Sequence, residues 1–335
     1  MLVVPALPFR LARLSQSLRA ALFAAKAAAA AAALFLLASC GGGTSAYDPF
    51  VPRRIFAFGD EASVLTADGH NYGINGINNN GTADDTSDDH FDCTLQPNWV
   101  QSLASAYGFA FAECNPNGLE VKAVNYAAPG ARVEEVEAQI DARIAGGGFA
   151  DKDISTVLVG VNDIVELYGR YDGSNEAALV AEARDRGRRT ALVVNRLVAL
   201  GSKVVVSNIP DMGYTPYAVS EATAHEGEDR GGVLSRLSAA FNESLGVTIL
   251  IDGRFVALAQ TDQRIVGMNR SPATYAIENT VAAACATPPP QCTSATLVTG
   301  ATANTWLWSG AYLLGSRGQS ELAYLAISRA QRNPF

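Results

Sequence analysis

The residues with the most chemical potential sit just past short apolar runs. Asp60 and Glu61 lie within Phe58-Gly59-Asp60-Glu61-Ala62-Ser63. A carboxylate there can act as a general base on water, or hold a cation together with Asp60 and the acidic stretch further on. Ser63 offers a hydroxyl. Ester chemistry through it needs a base to take its proton and an acid to orient that base. His70 follows in a Gly/Asn loop and titrates near neutrality, which suits a base. Each has a plainer reading: Ser63 as a serine capping a first helical turn, His70 as an exposed loop residue. His90 and His225 lie in polar loops and read as solvated. Asp163 reads as a turn-stabilising acid behind a strand. Trp306, Trp308 and Tyr312 can stack on a sugar or an acyl chain, or simply pack a terminal helix.

Alternating strands and helices must position these groups. Arg54–Phe58, Val121–Asn125, Thr156–Val159, Lys203–Ser207 and Val247–Ile251 are short, β-branched or aromatic, and bounded by turn formers, which predicts five buried strands. Helical periodicity predicts helices over Pro97–Tyr107, Val133–Ile144, Ala177–Leu200, Leu234–Leu245 and Gln319–Arg329. The alternation predicts a doubly wound parallel sheet of about five strands in a three-layer α/β/α sandwich. Functional loops then gather at the carboxyl ends of the strands. Nothing repeats, and one domain over 53–335 is expected.

Four strand-end segments carry a resemblance. Gly59-Asp60-Glu61, Tyr126-Ala127-Ala128-Pro129-Gly130, Gly160-Val161-Asn162-Asp163 and Asn208-Ile209-Pro210-Asp211 resemble, in order, conserved blocks of the GDSL/SGNH ester hydrolases. The resemblance implies an SGNH, flavodoxin-like fold from about Arg54 onward. It assigns Gly130 and Asn162 as donors to a developing oxyanion, each worth about 3–4 kcal/mol in such sites. It also implies a dismantled triad. Glu61 stands where the family keeps its nucleophilic serine. In Trp308-Ser309-Gly310-Ala311-Tyr312, Ser309 and Tyr312 stand where the family keeps aspartate and histidine. A phenol with a pKa near 10 is a poor base at neutral pH.

The N-terminal residues read as targeting rather than fold. Arg10, Arg13, Arg19 and Lys26 precede the apolar run Ala27–Ala38, as in a secretory signal spanning 1–39. Leu37-Ala38-Ser39-Cys40 resembles the lipobox of bacterial lipoproteins. That implies lipidation of Cys40, a flexible tether over 40–52, and sorting to the outer membrane, on its periplasmic or surface face. Of five cysteines, Cys93, Cys114, Cys285 and Cys292 then remain. An even set in an exported chain suggests disulfides; Cys93–Cys114 and Cys285–Cys292 are the simplest of three connectivities, beside the alternative of free thiols.

A net charge of -8 argues against nucleic-acid binding, which needs a basic face. Cys-x-x-Cys is absent, so no zinc site is expected, and no cofactor. The loop Asp68–Asp92 is rich in calcium-type ligands but lacks EF-hand spacing, and reads as a solvated loop. The leading expectation is an envelope lipoprotein with impaired catalysis that binds an ester-, acyl- or glycan-like ligand. The alternatives are an active esterase using Ser63 and His70, and a structural envelope protein without ligand.

Overall fold

The computed structural model describes residues 50–82, 86–332 and 335. The expected signal segment, Cys40 and all of the expected tether before Phe50 lie outside the described residues. Pro49–Phe335 forms a compact unit of its own.

Ten strands occur among the described residues: β1 (Arg54–Gly59), β2 (Ile77–Asn78), β3 (His90–Phe91), β4 (Phe109–Phe111), β5 (Glu120–Asn125), β6 (Asp153–Leu158), β7 (Lys203–Ser207), β8 (Val256–Ala259), β9 (Asn279–Ala283) and β10 (Trp306–Trp308). Six of them form the central sheet, in the order β4-β5-β1-β6-β7-β8, every pairing parallel. The helices are α1 (Trp99–Ala106), α2 (Val133–Ala145), α3 (Val161–Gly169), α4 (Glu176–Ala199), α5 (Pro216–Ala224), α6 (Arg230–Thr248), α7 (Thr261–Arg270) and α8 (Ser316–Arg332).

Side chains alternate across the sheet with period two. Phe56, Phe58, Val204 and Val206 face a core closed by α2, α3, α4 and α6. Ile55, Ala57 and Val205 face the opposite core, closed by α1, α7 and α8. Because both faces are covered, the central strands β1 and β7 are largely apolar, whereas β5, nearer the sheet edge, exposes Val121 and Val124.

The expected α/β/α sandwich is present, with two corrections in its strands. The sheet has six strands rather than about five. Val247–Ile251 is not a strand: α6 runs on through Thr248, and the strand that follows is β8. The run Val-Thr-Ile-Leu-Ile has β composition, but its first residues complete a helix already nucleated by the Asp229 cap, which accepts from Gly232 N at 3.2 Å. Strand β4 has no sequence signal, because three residues carry too little periodicity. Helices α3, α5 and α7 are likewise additions to the expected set; α3 begins within the strand-end segment Gly160–Asp163, whose composition is that of a loop, and α5 and α7 are only nine and ten residues long.

Both cystines link Cys93 to Cys114 and Cys285 to Cys292. The second closes the short segment from Cys285 to Cys292, which Asn75 holds by donating from Nδ2 to the carbonyls of Pro290 (2.8 Å) and Cys292 (2.9 Å). Among the described residues no helix is long and apolar enough to cross a membrane, and no three His, Cys, Asp or Glu side chains gather as metal ligands.

Candidate active site

Strand order dictates where the site forms. From β1 the chain goes to β4 and β5 on one side and to β6, β7 and β8 on the other. The connections diverge at β1, and this reversal opens a crevice at its carboxyl end. Glu61 follows β1, Gly130 follows β5 and Asn162 follows β6. The three converge there from residues far apart in sequence.

Gly59 sharpens the turn out of β1. Its φ is +140°, and a Cβ would lie 2.0 Å from the Leu158 carbonyl oxygen, so no other residue fits. Gln139 braces it from α2, accepting from Gly59 N and donating to Gly59 O, both at 2.9 Å. Asp60 then caps the single turn Glu61–Ser63, its Oδ1 accepting from Ala62 N at 3.1 Å. Its Oδ2 is buried without a hydrogen-bond partner. Burial, followed by the nearby Glu61 carboxylate, pushes the Asp60 carboxyl well above the usual aspartate range.

Glu61 is the centre of the arrangement. Its Oε1 accepts from Gly130 N at 2.6 Å and its Oε2 from Asn162 Nδ2 at 2.8 Å. The two groups that the resemblance assigns as oxyanion donors thus both donate to a carboxylate of the chain itself. Gly130 has φ +74°, which aims its amide. Asn162 stands in the first turn of α3 and also donates to Ala131 O at 3.2 Å. Asp163, beside it, does more than stabilise a local turn. Its Oδ2 accepts from Val133 N at 3.1 Å at the start of α2, and Arg186 approaches its Oδ1 at 3.4 Å. Burial raises the Asp163 carboxyl to about 6 against the pull of Arg186.

A narrow recess lies beside Glu61, bounded by Asp60, Tyr72, Pro210, Tyr312 and Gln319. Its volume of about 20 Å³ holds about one water molecule. No Ser, Thr, Cys or His lines it among the described residues. Burial and then the negative charge of Glu61 raise the phenols of Tyr72 and Tyr312, so both stay neutral at physiological pH. Tyr312 also packs edge-on against Tyr217, with ring centroids 6.1 Å apart. Trp306 and Trp308 lie in β10; Trp308 is fully buried and donates from Nε1 to Thr280 O at 2.9 Å, so it packs rather than lining a rim.

The other sequence candidates lie elsewhere. Ser309 is fully buried, and its hydroxyl is turned to the carbonyls of Leu313 and Leu314, each at 3.2 Å. Ser63 is fully buried behind the turn, where its Oγ accepts from Trp99 Nε1 at 3.1 Å. His70 stacks on Phe91 at 4.0 Å, and its Nδ1 lies 3.2 Å from Asp68. Neither Ser63 nor His70 borders the recess. Tyr72, Gln139, Arg186 and Gln319 have no sequence signal. Each reaches the site from another element, and only folding places them.

These observations meet a clear family match. The GDSL-like lipase/acylhydrolase model matches residues 55–289. The chain belongs to this family. Solved structures similar to this GDSL-family chain include a lipolytic G-D-S-L protein from Veillonella parvula, 13% identical, covering 82% of this chain and 96% of that one with a TM-score of 0.41. A lipase from a goat rumen metagenome is 12% identical, covering 83% and 97% with a TM-score of 0.49. An acetylxylan esterase from Geobacillus stearothermophilus is 12% identical, covering 84% and 96% with a TM-score of 0.41. No curated protein matches the sequence.

Proposed function

We propose that this GDSL-family chain is an envelope lipoprotein that no longer hydrolyses esters through a serine nucleophile. One observation carries the reading: the Glu61 carboxylate occupies both donors, Gly130 N and Asn162 Nδ2. A substrate carbonyl would have to displace an anion bound by two charge-assisted hydrogen bonds. A carboxylate also cannot form the alkoxide that acyl transfer needs, and its acyl adduct would be an anhydride. The family match makes ester- and acyl-type groups the natural ligand class, with glycans as the polyhydroxy carriers of such esters. Such a ligand would engage the outer rim by Tyr72 and Tyr312, since the recess itself admits about one water. Anchorage through Cys40 would hold the chain at the outer membrane.

The active-enzyme alternative finds little support. Ser63 is enclosed by Trp99, and its hydroxyl serves the indole rather than a histidine. The small recess favours the purely structural alternative over a ligand bound at the hole itself.

The test uses the chain from Gly41 onward with p-nitrophenyl acetate and butyrate and a fluorophosphonate probe. Neither turnover nor labelling is expected. Labelling that disappears in Ser63→Ala would overturn the proposal. Glu61→Ser with Tyr312→His is the reversion with the best prospect of activity. Adding Ser309→Asp would set a carboxylate against the Leu313 and Leu314 carbonyls, so it should destabilise that turn. Labelling of the full chain with palmitate, lost in Cys40→Ser, tests the anchor separately.

A further inference from the structure

The end of the sheet opposite Glu61 has its own character. In a parallel sheet, the segments that lead into the strands all lie at one end. Here that end carries the most exposed large apolar side chains among the described residues. Val247, in the last turn of α6, is 76% exposed, and in the connection to β8 Ile251 is 86% and Leu250 42% exposed. Val51, leading into β1, is 66% exposed. Ile249, Leu250, Ile251 and Val256 line an open groove of about 280 Å³ that reaches Arg329 of α8.

Basic groups share this end, although the chain as a whole carries -8. Arg53 and Lys152 are joined by a backbone hydrogen bond of 2.7 Å where β1 and β6 begin. Lys203 opens β7, its ammonium 5.7 Å from the Phe50 ring and 4.7 Å from the Phe255 ring. The acids nearby are Glu120, Asp151, Asp153 and Asp252; Lys122 pairs with Glu120 at 3.0 Å, Arg54 with Asp153 at 2.6 Å and Arg254 with Asp252 at 2.7 Å, which leaves Arg53 and Lys152 in surplus. Phe50, where the described chain starts, packs on Phe335 at 5.8 Å at the same end. The segment that precedes the fold therefore joins it beside the apolar and basic groups, and away from Glu61.

We propose that this end is a membrane-apposed face: Val247, Leu250 and Ile251 enter the interface of an anionic bilayer while Arg53 and Lys152 meet its headgroups, Lys203 being held by the Arg254 carbonyl and the Phe50 and Phe255 rings. Apolar side chains ringed by cations are the pattern that binds anionic interfaces. The proposal extends the anchoring reading, because a chain tethered through the residues before Phe50 brings this end to the bilayer. It also turns the Glu61 crevice away from the lipid.

The test separates face from anchor. The chain from Gly41 onward lacks Cys40 and retains the compact Pro49–Phe335 unit. With vesicles of phosphatidylethanolamine and phosphatidylglycerol it should co-sediment, and more weakly with phosphatidylcholine alone. Val247→Asp with Ile251→Asp should reduce partitioning about tenfold or more while lowering the melting temperature by no more than about 4 °C, because both side chains are exposed and the new carboxylate in the last turn of α6 opposes only the helix dipole. Emission added by Ile251→Trp should be quenched by brominated lipid. Emission added by Val281→Trp, an exposed site on β9, should not be. The proposal is overturned if the native chain stays in the supernatant, if the double variant sediments equally, or if the two tryptophans are quenched alike. A chain that sediments this way but takes up no palmitate at Cys40 would sink only the lipoprotein reading.

Discussion

If Glu61 is a built-in occupant of the two-donor site, removing it should create a site for a free carboxylate. In Glu61→Ala, Gly130 N and Asn162 Nδ2 lose acceptors at 2.6 and 2.8 Å. Hydrogen bonds to a charged group contribute about 1.5–3 kcal/mol when buried, but water can reach these donors, so about 1 kcal/mol each is the fitting scale. Relief of the repulsion between Glu61 and Asp60 works the other way. The net loss should be about 1–2 kcal/mol, a melting temperature lower by roughly 2–6 °C for a domain of this size. Acetate should then fill the vacant place. With a Kd of about 10 mM, acetate at about 100 mM stabilises by RT ln 11, about 1.4 kcal/mol, or roughly 3–5 °C. Differential scanning fluorimetry at neutral pH, with chloride at equal ionic strength as the control, reads this directly. The native chain, its site already filled, should show no difference between the two salts. A Glu61→Ala variant indifferent to acetate, or a native chain that responds equally, would refute the assignment of Glu61 as occupant.

The ionisation of Asp163 gives a second outcome. Its folded pKa of about 6 lies above the ordinary value of 3.8, so the folded state holds its proton over a range where the unfolded state releases it. Its contribution is therefore present at low pH and lost as pH rises from about 4 to about 6, by at most about 3 kcal/mol. Melting curves should show the native chain losing ground to Asp163→Asn across that window; a gap independent of pH would contradict the burial argument. Asp60 is shifted in the same direction, so Asp60→Asn should raise the melting temperature most at alkaline pH. Cys93 and Cys114 are 21 residues apart, and closing a loop of that length restricts the unfolded chain by about 3 kcal/mol. Cys93→Ser with Cys114→Ser should accordingly melt roughly 6–12 °C lower.

Much of this molecule is legible in its sequence. The apolar run of Arg54–Gly59 and the long apolar stripe of Glu176–Ala199 declare themselves, because a strand buried on both faces must be apolar throughout and a helix buried on one face carries a periodicity. The glycines at 59, 130 and 160 also announce strand-end turns, and all three have positive φ. The segment Val247–Ile251 misleads because composition ignores the neighbouring element: an established helix extends through residues whose own preference is for strand. What the sequence can show of the site is the oddity of Glu61 and the identity of Gly130 and Asn162. It cannot show that one carboxylate bridges the other two. That depends on β5, β1 and β6 lying side by side, and strand adjacency is set by long-range packing that leaves no trace in local pattern. The same holds for Ser63, whose position beside Glu61 in sequence suggests chemistry. A single turn after β1 sends the two side chains apart, Glu61 to the crevice and Ser63 to Trp99 in the core. Sequence supplied the groups, and the tertiary structure decided which of them meet.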